Sequence, residues 1–140
     1  MEDCIFCKIV KGEIPSYKIY EDEKIFAFMD IQPINPGHIL IIPKKHAKLI
    51  AELEDEIVGE IFKVAKKINI ALRKSGIKSE GINFFLADGK AAGQEVLHVH
   101  LHIVPRYKND GFGFKFPPNY ENKPSKDELE KIAKKIRSAF

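Results

Sequence analysis

The sequence lacks the features that would place the protein in a membrane, in a secretory pathway or on a nucleic acid. No apolar run approaches the roughly 18 residues needed to span a bilayer. The first residues have no basic start followed by a long apolar stretch, so we see no signal peptide. No block of five or more Lys or Arg residues occurs, which argues against a surface that tracks a nucleic-acid backbone. We therefore predict a cytoplasmic protein with no membrane partner and no specific nucleic-acid partner.

The sequence also lacks internal repeats and low-complexity segments, and its 140 residues predict one domain with a real core. Hydrophobic patterning predicts strands at residues 17–20, 24–28, 38–42, 81–87 and 98–104, a long helix at residues 54–75 and a last helix after a capping box at Ser125. The predicted core stripe of the long helix is Ile57, Val58, Ile61, Phe62, Ala65, Ile68 and Leu72. Antiparallel strands with segregated helices indicate an α+β fold.

Three of the five histidines occupy alternate positions near residue 100. In a strand, His98, His100 and His102 would share one face at spacings of about 6.5–7 Å, while the apolar residues between them face the core. The alternative is a half-buried strand whose polar face happens to be histidine. Because imidazole can act as nucleophile, acid, base or metal ligand near neutral pH, we favour a chemical role.

Both cysteines of the chain lie in one Cys-x-x-Cys motif, Cys4 to Cys7. A disulfide is one interpretation. A thioredoxin-like redox pair is a second, although no βαβ setting accompanies the motif. The spacing fits half of a zinc site better, since two thiolates can then reach one ion. Histidine is the usual supplier of the two remaining ligands.

Two further stretches are loops with distinctive composition. Residues 88–94 are rich in Gly and Ala just before the histidine run, and backbone amides of such a loop can cradle a phosphate. Residues 108–123 carry Phe112, Phe114, Phe116 and Tyr120. A loop of this length is usually functional or disordered, and its aromatic residues indicate that it packs on something.

The order of these motifs resembles the histidine-triad family of nucleotidyl hydrolases and transferases. The resemblance runs from about residue 4 to residue 106 and rests on His-x-His-x-His at 98–102 together with shorter matches. These are Ile5-Phe6, residues 12–15, residues 28–31, Pro36-Gly37-His38, residues 42–46 and Ala92-Gly93-Gln94. We therefore expect residues 1–106 to form the family's core domain. Residues 107–140 look like the C-terminal extension of microbial members, an aromatic loop plus a helix packed on the same domain.

The resemblance implies a five-stranded antiparallel sheet with one long central helix and a C-terminal helix. It also implies a homodimer in which two sheets join into a ten-stranded sheet. Family members bind a purine nucleotide and cleave at its α-phosphate. Their substrates include nucleoside phosphoramidates, adenylates and dinucleoside polyphosphates, and no organic cofactor is implied.

Carried over by position, the resemblance makes His100 the nucleophile that forms a nucleotidyl-histidine. It implies that His102 contacts the phosphoryl oxygens or the leaving group and that His38 orients the triad. Gly93, Gln94 and the backbone of Glu95 would stabilise charge on the phosphate, and Asp30 would bind the ribose. The implied base pocket is Ile5, Phe6, Ile14, Phe28 and Ile31, for which plain core residues are the alternative interpretation.

The resemblance also implies a zinc site. Some members with this Cys-x-x-Cys bind zinc through residues that correspond to Cys4, Cys7, His46 and His98, a Cys₂His₂ set of the kind found in closed structural sites. A zinc-free member with a reduced cysteine pair is the alternative.

The chain departs from the family pattern at two positions. Ala87 stands where many members have a phosphate-binding Asn, for which Asp88 or another group could substitute, and Glu95 stands where many eukaryotic members have Ser. Two other functions compete with the nucleotidyl hydrolase. One is a non-catalytic nucleotide-binding protein with a structural zinc site, and the other is a zinc hydrolase that uses the triad as its metal site.

Overall fold

The strands of the protein form a five-stranded antiparallel sheet. The computed structural model describes residues 3–140, with two compact units at residues 3–110 and 111–140. The strands are β1 Lys18–Glu21, β2 Ile25–Met29, β3 Ile39–Pro43, β4 Gly81–Phe85 and β5 Leu101–Arg106. They lie in the order β1-β2-β3-β5-β4, and every neighbouring pair is antiparallel. The predicted α+β architecture is confirmed.

Two α-helices belong to the first unit, α1 Ile5–Val10 and α2 Asp55–Lys74, and α3 Lys126–Arg137 belongs to the second. Short 3₁₀ turns occur at Ile50–Glu52 and Lys90–Ala92. In the described part of the chain, none of the helices combines the length and the hydrophobicity of a membrane span.

Helix α2 covers one face of the sheet. Its buried residues Ile57, Ile61, Val64, Ala65, Ile68 and Leu72 pack with Ile25, Ala27, Ile39, Ile41, Leu101 and Ile103 of the strands. Because side chains alternate along a strand, these odd-numbered positions all face α2. Val99 is 1% exposed and joins the same core, so the predicted inward face of the histidine run is correct.

Helix α1 covers part of the opposite face. Phe6 and Ile9 of α1 pack with Phe26, Phe28, Leu40 and Ile42 of the strands. The sequence analysis assigned no helix here, although the spacing of Ile5, Phe6, Ile9 and Val10 is helical. Cys4 is its N-cap, and the Sγ atom accepts a hydrogen bond from the Cys7 amide.

A buried polar network holds the loop between β2 and β3. Asn35 donates to the carbonyl of Pro105 at 2.9 Å and to the Asp110 carboxylate at 2.8 Å. The same carboxylate accepts two hydrogen bonds from the Arg106 guanidinium, at 2.6 and 2.9 Å. The carbonyl of Asn35 also accepts from the His38 amide, so the network fixes the backbone from which His38 projects.

Gly37 is required in that loop for two reasons. Its φ of +95° is unfavourable for other residues. A Cβ atom there would lie 3.0 Å from Pro105 and 3.1 Å from Ile77. The glycine therefore lets the chain pass close to β5 just before His38.

The second unit contains the aromatic loop and α3. Ser125 caps α3 by accepting a hydrogen bond from the Glu128 amide, as predicted. In the loop, the ring centroids of Phe116 and Tyr120 lie 4.3 Å apart. The boundary at residue 106 and the packing of residues 107–140 on the core domain stay predictions.

Two local predictions need correction. The predicted core stripe of α2 includes Phe62, but this side chain is 51% exposed. Val64, which the prediction leaves out, is buried in the core. The last strand of the sheet begins at Leu101, not at His98. Residues 98–100 lead into it outside the strand ladder, with His98 at a bend and the Val99 amide donating to the Ala47 carbonyl.

Candidate active site

Four side chains from adjacent strands form a row on the sheet face opposite α2. Phe28 pairs with Leu40, Leu40 with His102, and His102 with Phe85 in the strand registers. All four line a pocket of about 590 Å³, together with His100. A volume of this size is typical of small-molecule sites, so this pocket is the candidate active site.

His100 presents one ring nitrogen with a free lone pair. Its Nδ1 atom lies 2.7 Å from the carbonyl oxygen of His98. Because a carbonyl can only accept, Nδ1 carries the proton and Nε2 keeps its lone pair. Burial lowers the pKa of His100. The His98 carbonyl and the carboxylates of Asp30 and Glu95 raise it, but by less. The ring is therefore neutral at pH 7 and suited to nucleophilic attack.

His38 and His102 form a hydrogen-bonded pair whose direction follows from its neighbours. The Ile34 amide donates to His38 Nδ1 at 3.0 Å, so the proton of His38 is on Nε2. That N–H donates to His102 Nδ1 at 2.9 Å, which leaves the proton of His102 on its own Nε2 atom. Burial, with smaller effects of His100 and His38, lowers the pKa of His102 to about 3. His102 is thus a neutral N–H donor next to His100, with ring centroids 4.9 Å apart.

Two carboxylates line the pocket, Asp30 and Glu95. One Asp30 oxygen accepts from the Gln32 amide at 2.8 Å, and the other lies 3.5 Å from His38 Nε2. Among the described residues that line the pocket, none is a lysine or an arginine. The side chains around His100 therefore carry negative charge without a positive counterpart.

The Gly-rich loop before the histidines reaches the pocket through Ala92, Gly93 and Glu95. Gln94 makes two side-chain hydrogen bonds. Its oxygen accepts from the Gly89 amide and its nitrogen donates to the Lys48 carbonyl, both at 2.8 Å. Both polar atoms of this side chain hold the loop, and Gln94 is not among the residues that line the pocket. Its predicted phosphate contact stays a prediction.

An apolar side chain occupies the position at which the family resemblance predicts a phosphate-binding Asn. Ala87 lines the pocket. Asp88 accepts a hydrogen bond from the Ile50 amide at 2.8 Å and is not among the lining residues. The Asp88 carboxylate therefore does not replace the Asn in this structure.

The predicted base-binding residues do lie together at the pocket. Ile5, Phe6, Ile14, Phe28 and Ile31 all line it, as does Asp30. Phe6 and Phe28 are buried, whereas Ile5 is 46% and Ile31 85% exposed. An isoleucine exposed to that degree at a pocket rim has apolar surface available for a ligand.

The other predicted cluster brings together two sulfur and two nitrogen atoms. Cys4 Sγ lies 3.4 Å and Cys7 Sγ 3.6 Å from His98 Nδ1. His46 Nδ1 lies 3.3 Å from Cys7 Sγ and 3.2 Å from His98 Nδ1. Burial raises the pKa of the Cys7 thiol, and bound metal would reverse that effect.

These distances and protonation states fit a tetrahedral zinc ion. With usual bond lengths, N–N and S–N edges of such a site are roughly 3.3–3.6 Å. His98 donates from Nε2 to the Pro43 carbonyl at 2.8 Å. Its Nδ1 lone pair therefore points at the cluster, and its other nitrogen is held as metal ligands usually are.

A second group of potential ligands, Asp30, His38 and His102, does not fit a metal. The Ile34 amide donates to His38 Nδ1, which forces the proton onto Nε2, the atom that faces the other two groups. A metal there would compete with that proton. The arrangement is a hydrogen-bonded relay, and His100 belongs to neither of the two potential metal clusters among the described residues.

Two residues that shape the site are not evident from the sequence. Phe85 stacks on His102, with centroids 4.2 Å apart and an interplanar angle of 17°. Asn35 anchors the loop of His38. Phe85 is one of several aromatic residues in a strand pattern and Asn35 one of several polar residues in a turn, so neither stands out in the sequence.

Comparison with known proteins defines the class of protein. Residues 11–109 match the HIT domain, and the chain therefore belongs to the histidine-triad family. A HIT family structure from Bacillus subtilis superposes with a TM-score of 0.89 at 40% sequence identity, covering 99% of this chain and 97% of that one.

Two other relatives bear on the two clusters. The chain is 38% identical over 138 residues to a Candida albicans protein named adenosine 5′-monophosphoramidase, covering 96% of this chain and 89% of the relative. It also resembles a structure described as a Zn-bound histidine triad family protein from Mycobacterium smegmatis. That likeness has a TM-score of 0.76 at 41% identity and covers 86% of this chain and 87% of the other.

Proposed function

We propose that the protein is a nucleotidyl hydrolase or transferase that cleaves at the α-phosphate of a purine nucleotide through a covalent intermediate on His100. The observation that carries the proposal is the hydrogen bond from His100 Nδ1 to the His98 carbonyl. It leaves an unprotonated, neutral Nε2 atom in an apolar pocket beside an N–H donor. The Candida relative named as a monophosphoramidase supports the phosphoramidate class.

The first step forms the bond between His100 Nε2 and the α-phosphorus. The bond from phosphorus to the leaving group breaks, and the leaving atom keeps its electron pair. His102 Nε2–H donates a hydrogen bond to that atom, which takes its proton from solvent, so His102 stays neutral while His38 stays hydrogen-bonded to its Nδ1 atom. The positive charge that develops on His100 is stabilised by the His98 carbonyl and by the carboxylates of Asp30 and Glu95.

In the second step, water attacks the phosphorus and its proton passes to solvent, while His102 Nε2–H donates a hydrogen bond to the phosphoryl group. The bond to His100 Nε2 breaks, and the nucleoside monophosphate leaves. Two displacements suit a weak nucleophile such as water, because the imidazole carries out the harder one. Ile5, Phe6, Ile14, Phe28 and Ile31 hold the base, and Asp30 holds the ribose. The Glu95 amide binds the phosphate, whereas the Gly93 amide is already hydrogen-bonded to the Lys90 carbonyl at 2.9 Å.

We also propose that Cys4, Cys7, His46 and His98 hold a structural zinc ion. All four ligands come from the protein, which leaves no open coordination position for substrate. A zinc ion there would tie α1 to the start of the catalytic segment. The Zn-bound Mycobacterium relative supports this proposal.

The proposed active form is a homodimer with a ten-stranded sheet. Its support is the family resemblance together with the position of β4 at one edge of the sheet. Analytical ultracentrifugation tests it, with a mass twice the 16.0 kDa of the chain expected. A monomer at all concentrations would contradict it.

Turnover of adenosine 5′-phosphoramidate tests the function. We expect release of adenosine monophosphate by the wild type and a loss of at least about a thousandfold in His100→Ala. The variant should still bind adenosine monophosphate in calorimetry. Nucleotide binding without turnover by the wild type would favour the non-catalytic nucleotide-binding protein.

A further inference from the structure

Phe85 covers one face of the His102 ring. The two residues are cross-strand partners of β4 and β5, and their rings are nearly parallel at 4.2 Å. The Phe85 side chain is 36% exposed and lines the pocket. An aromatic ring on the open side of a functional histidine calls for an explanation beyond core packing.

The hydrogen bond from His38 does not fix the orientation of His102 by itself. It restrains the Nδ1 atom of His102. However, the torsion that turns an imidazole about its Cβ–Cγ bond is broad, so the ring plane can still tilt about that hydrogen bond. A stacked aromatic partner removes that freedom, because tilting would break the parallel contact.

We propose that Phe85 is a positioning residue that fixes the plane of the His102 imidazole, so that Nε2–H points at the leaving group of the substrate. The inference rests on the proposed function. The Nε2–H hydrogen bond stabilises the electron pair that builds up on the departing atom while the bond from that atom to phosphorus breaks, and the departing atom takes its proton from solvent.

This role predicts a dependence on the leaving group. An amine departs from phosphorus only when it gains a proton, whereas 4-nitrophenolate departs as a stable anion. Misaligned Nε2–H should therefore slow the first reaction and spare the second. A role of Phe85 in shaping the pocket or binding the base would slow both alike.

Phe84 provides a matched control. It is the neighbouring phenylalanine of β4 and pairs with Ile103, a residue of the core beneath α2. Its exposure of 41% is close to that of Phe85. It is not among the residues lining the pocket.

The experiment measures first-step rates in single turnovers for the wild type, Phe85→Leu, Phe85→Tyr and Phe84→Leu. The substrates are adenosine 5′-phosphoramidate and the 4-nitrophenyl ester of adenosine monophosphate. For Phe85→Leu we expect a roughly tenfold loss with the phosphoramidate and less than about twofold with the ester, as one aromatic pair and a misaligned donor suggest. Phe85→Tyr should restore most of the rate, and Phe84→Leu should keep the wild-type ratio of the two rates, whatever its effect on the β4 edge.

Equal losses on the two substrates, or no loss, would overturn the positioning role. Nitrogen-15 NMR of His102 tests the role without turnover. The wild type should show one Nε2–H tautomer with a restrained ring, and Phe85→Leu should show the same tautomer, still held by His38, with increased ring motion in the relaxation of its nitrogen signals. An unchanged His102 spectrum in Phe85→Leu would overturn the inference. A wild type inactive on both substrates would instead contradict the proposed function.

Discussion

Glu95 places a carboxylate at the pocket. Together with Asp30 it acts electrostatically on His100, and none of the described lining residues is a lysine or an arginine. Extra phosphates on a substrate therefore meet negative charge. A phosphoramidate, whose leaving group is an amine, avoids that repulsion.

We predict that Glu95→Gln changes the preference between substrates. Removal of one exposed carboxylate should raise kcat/KM for diadenosine tetraphosphate about threefold relative to adenosine 5′-phosphoramidate, because a charge pair at this range in water is worth a fraction of a kcal/mol. Steady-state kinetics on both substrates measure the ratio. The control is Glu60→Gln on α2, which lies beyond the opposite face of the sheet and should leave the ratio unchanged. An unchanged ratio in Glu95→Gln would contradict this account of the pocket charge.

The loop between β2 and β3 is the element that carries His38. Its position depends on Asn35, which is 4% exposed and makes two side-chain hydrogen bonds to the segment at the end of β5. A buried donor of this kind is costly to remove, since its acceptors remain desolvated.

For Asn35→Ala we predict a loss of about 1–3 kcal/mol in the free energy of unfolding and a lower kcat in the folded protein. Urea denaturation gives the first quantity. Asn69→Ala on the surface of α2 is the matched control, and we expect it to stay within about 0.5 kcal/mol of the wild type. Similar losses in both variants would show that the Asn35 network does not hold the loop.

The zinc cluster connects two elements, α1 and the segment that leads into β5. We predict about one zinc ion per chain by elemental analysis. A chelator should lower the Tm of the wild type by roughly 10 °C and change the chemical step much less. Cys7→Ser should contain little zinc and show no response to the chelator.

Two results would contradict this account of the cluster. A zinc-free wild type whose Tm ignores the chelator would favour the reduced cysteine pair. Immediate loss of the chemical step in protein that is still folded would favour a catalytic metal.

At the scale of elements, periodic patterns predicted most of the fold. The alternation around His100 placed Val99, Leu101 and Ile103 in the core, and the helical stripe found α2. Helix α1 has only six residues, too few for a clear period. Phe62 satisfies the same period as its neighbours but lies at the margin of the stripe, where packing and not pattern decides burial.

The sequence predicts those site residues that form a motif of residue type and spacing. It does not predict those whose roles depend on contacts in the folded protein. Histidines on alternate residues and a Cys-x-x-Cys motif pointed to both clusters. The roles of Asn35, Gln94 and Phe85 depend on partners between 5 and 75 residues away along the chain. Those pairings exist only in the folded protein.

For the molecule as a whole, the buried histidines make stability depend on pH. The pKa of His102 is lowered by burial to about 3 from 6.5. Below pH 6.5 the unfolded chain therefore binds a proton at this position that the folded chain excludes. The free energy of unfolding should rise with pH through this range and fall as the solution becomes acidic.

From His102, whose ring is half-buried and partly screened by solvent, we predict a loss of about 1 kcal/mol between pH 7 and pH 5. Urea denaturation at the two pH values measures it, with His102→Asn as the comparison that removes the titrating group and should show a smaller pH dependence. An identical pH dependence in the two proteins would contradict the neutral state of the half-buried His102.

The covalent intermediate is the central claim, and intact-protein mass spectrometry after brief mixing with adenosine 5′-phosphoramidate tests it most directly. The account predicts one added adenylyl group on the wild type, located at His100 by peptide mapping and absent from His100→Ala. An adduct that persists in folded His100→Ala, or normal turnover by that variant, would contradict it.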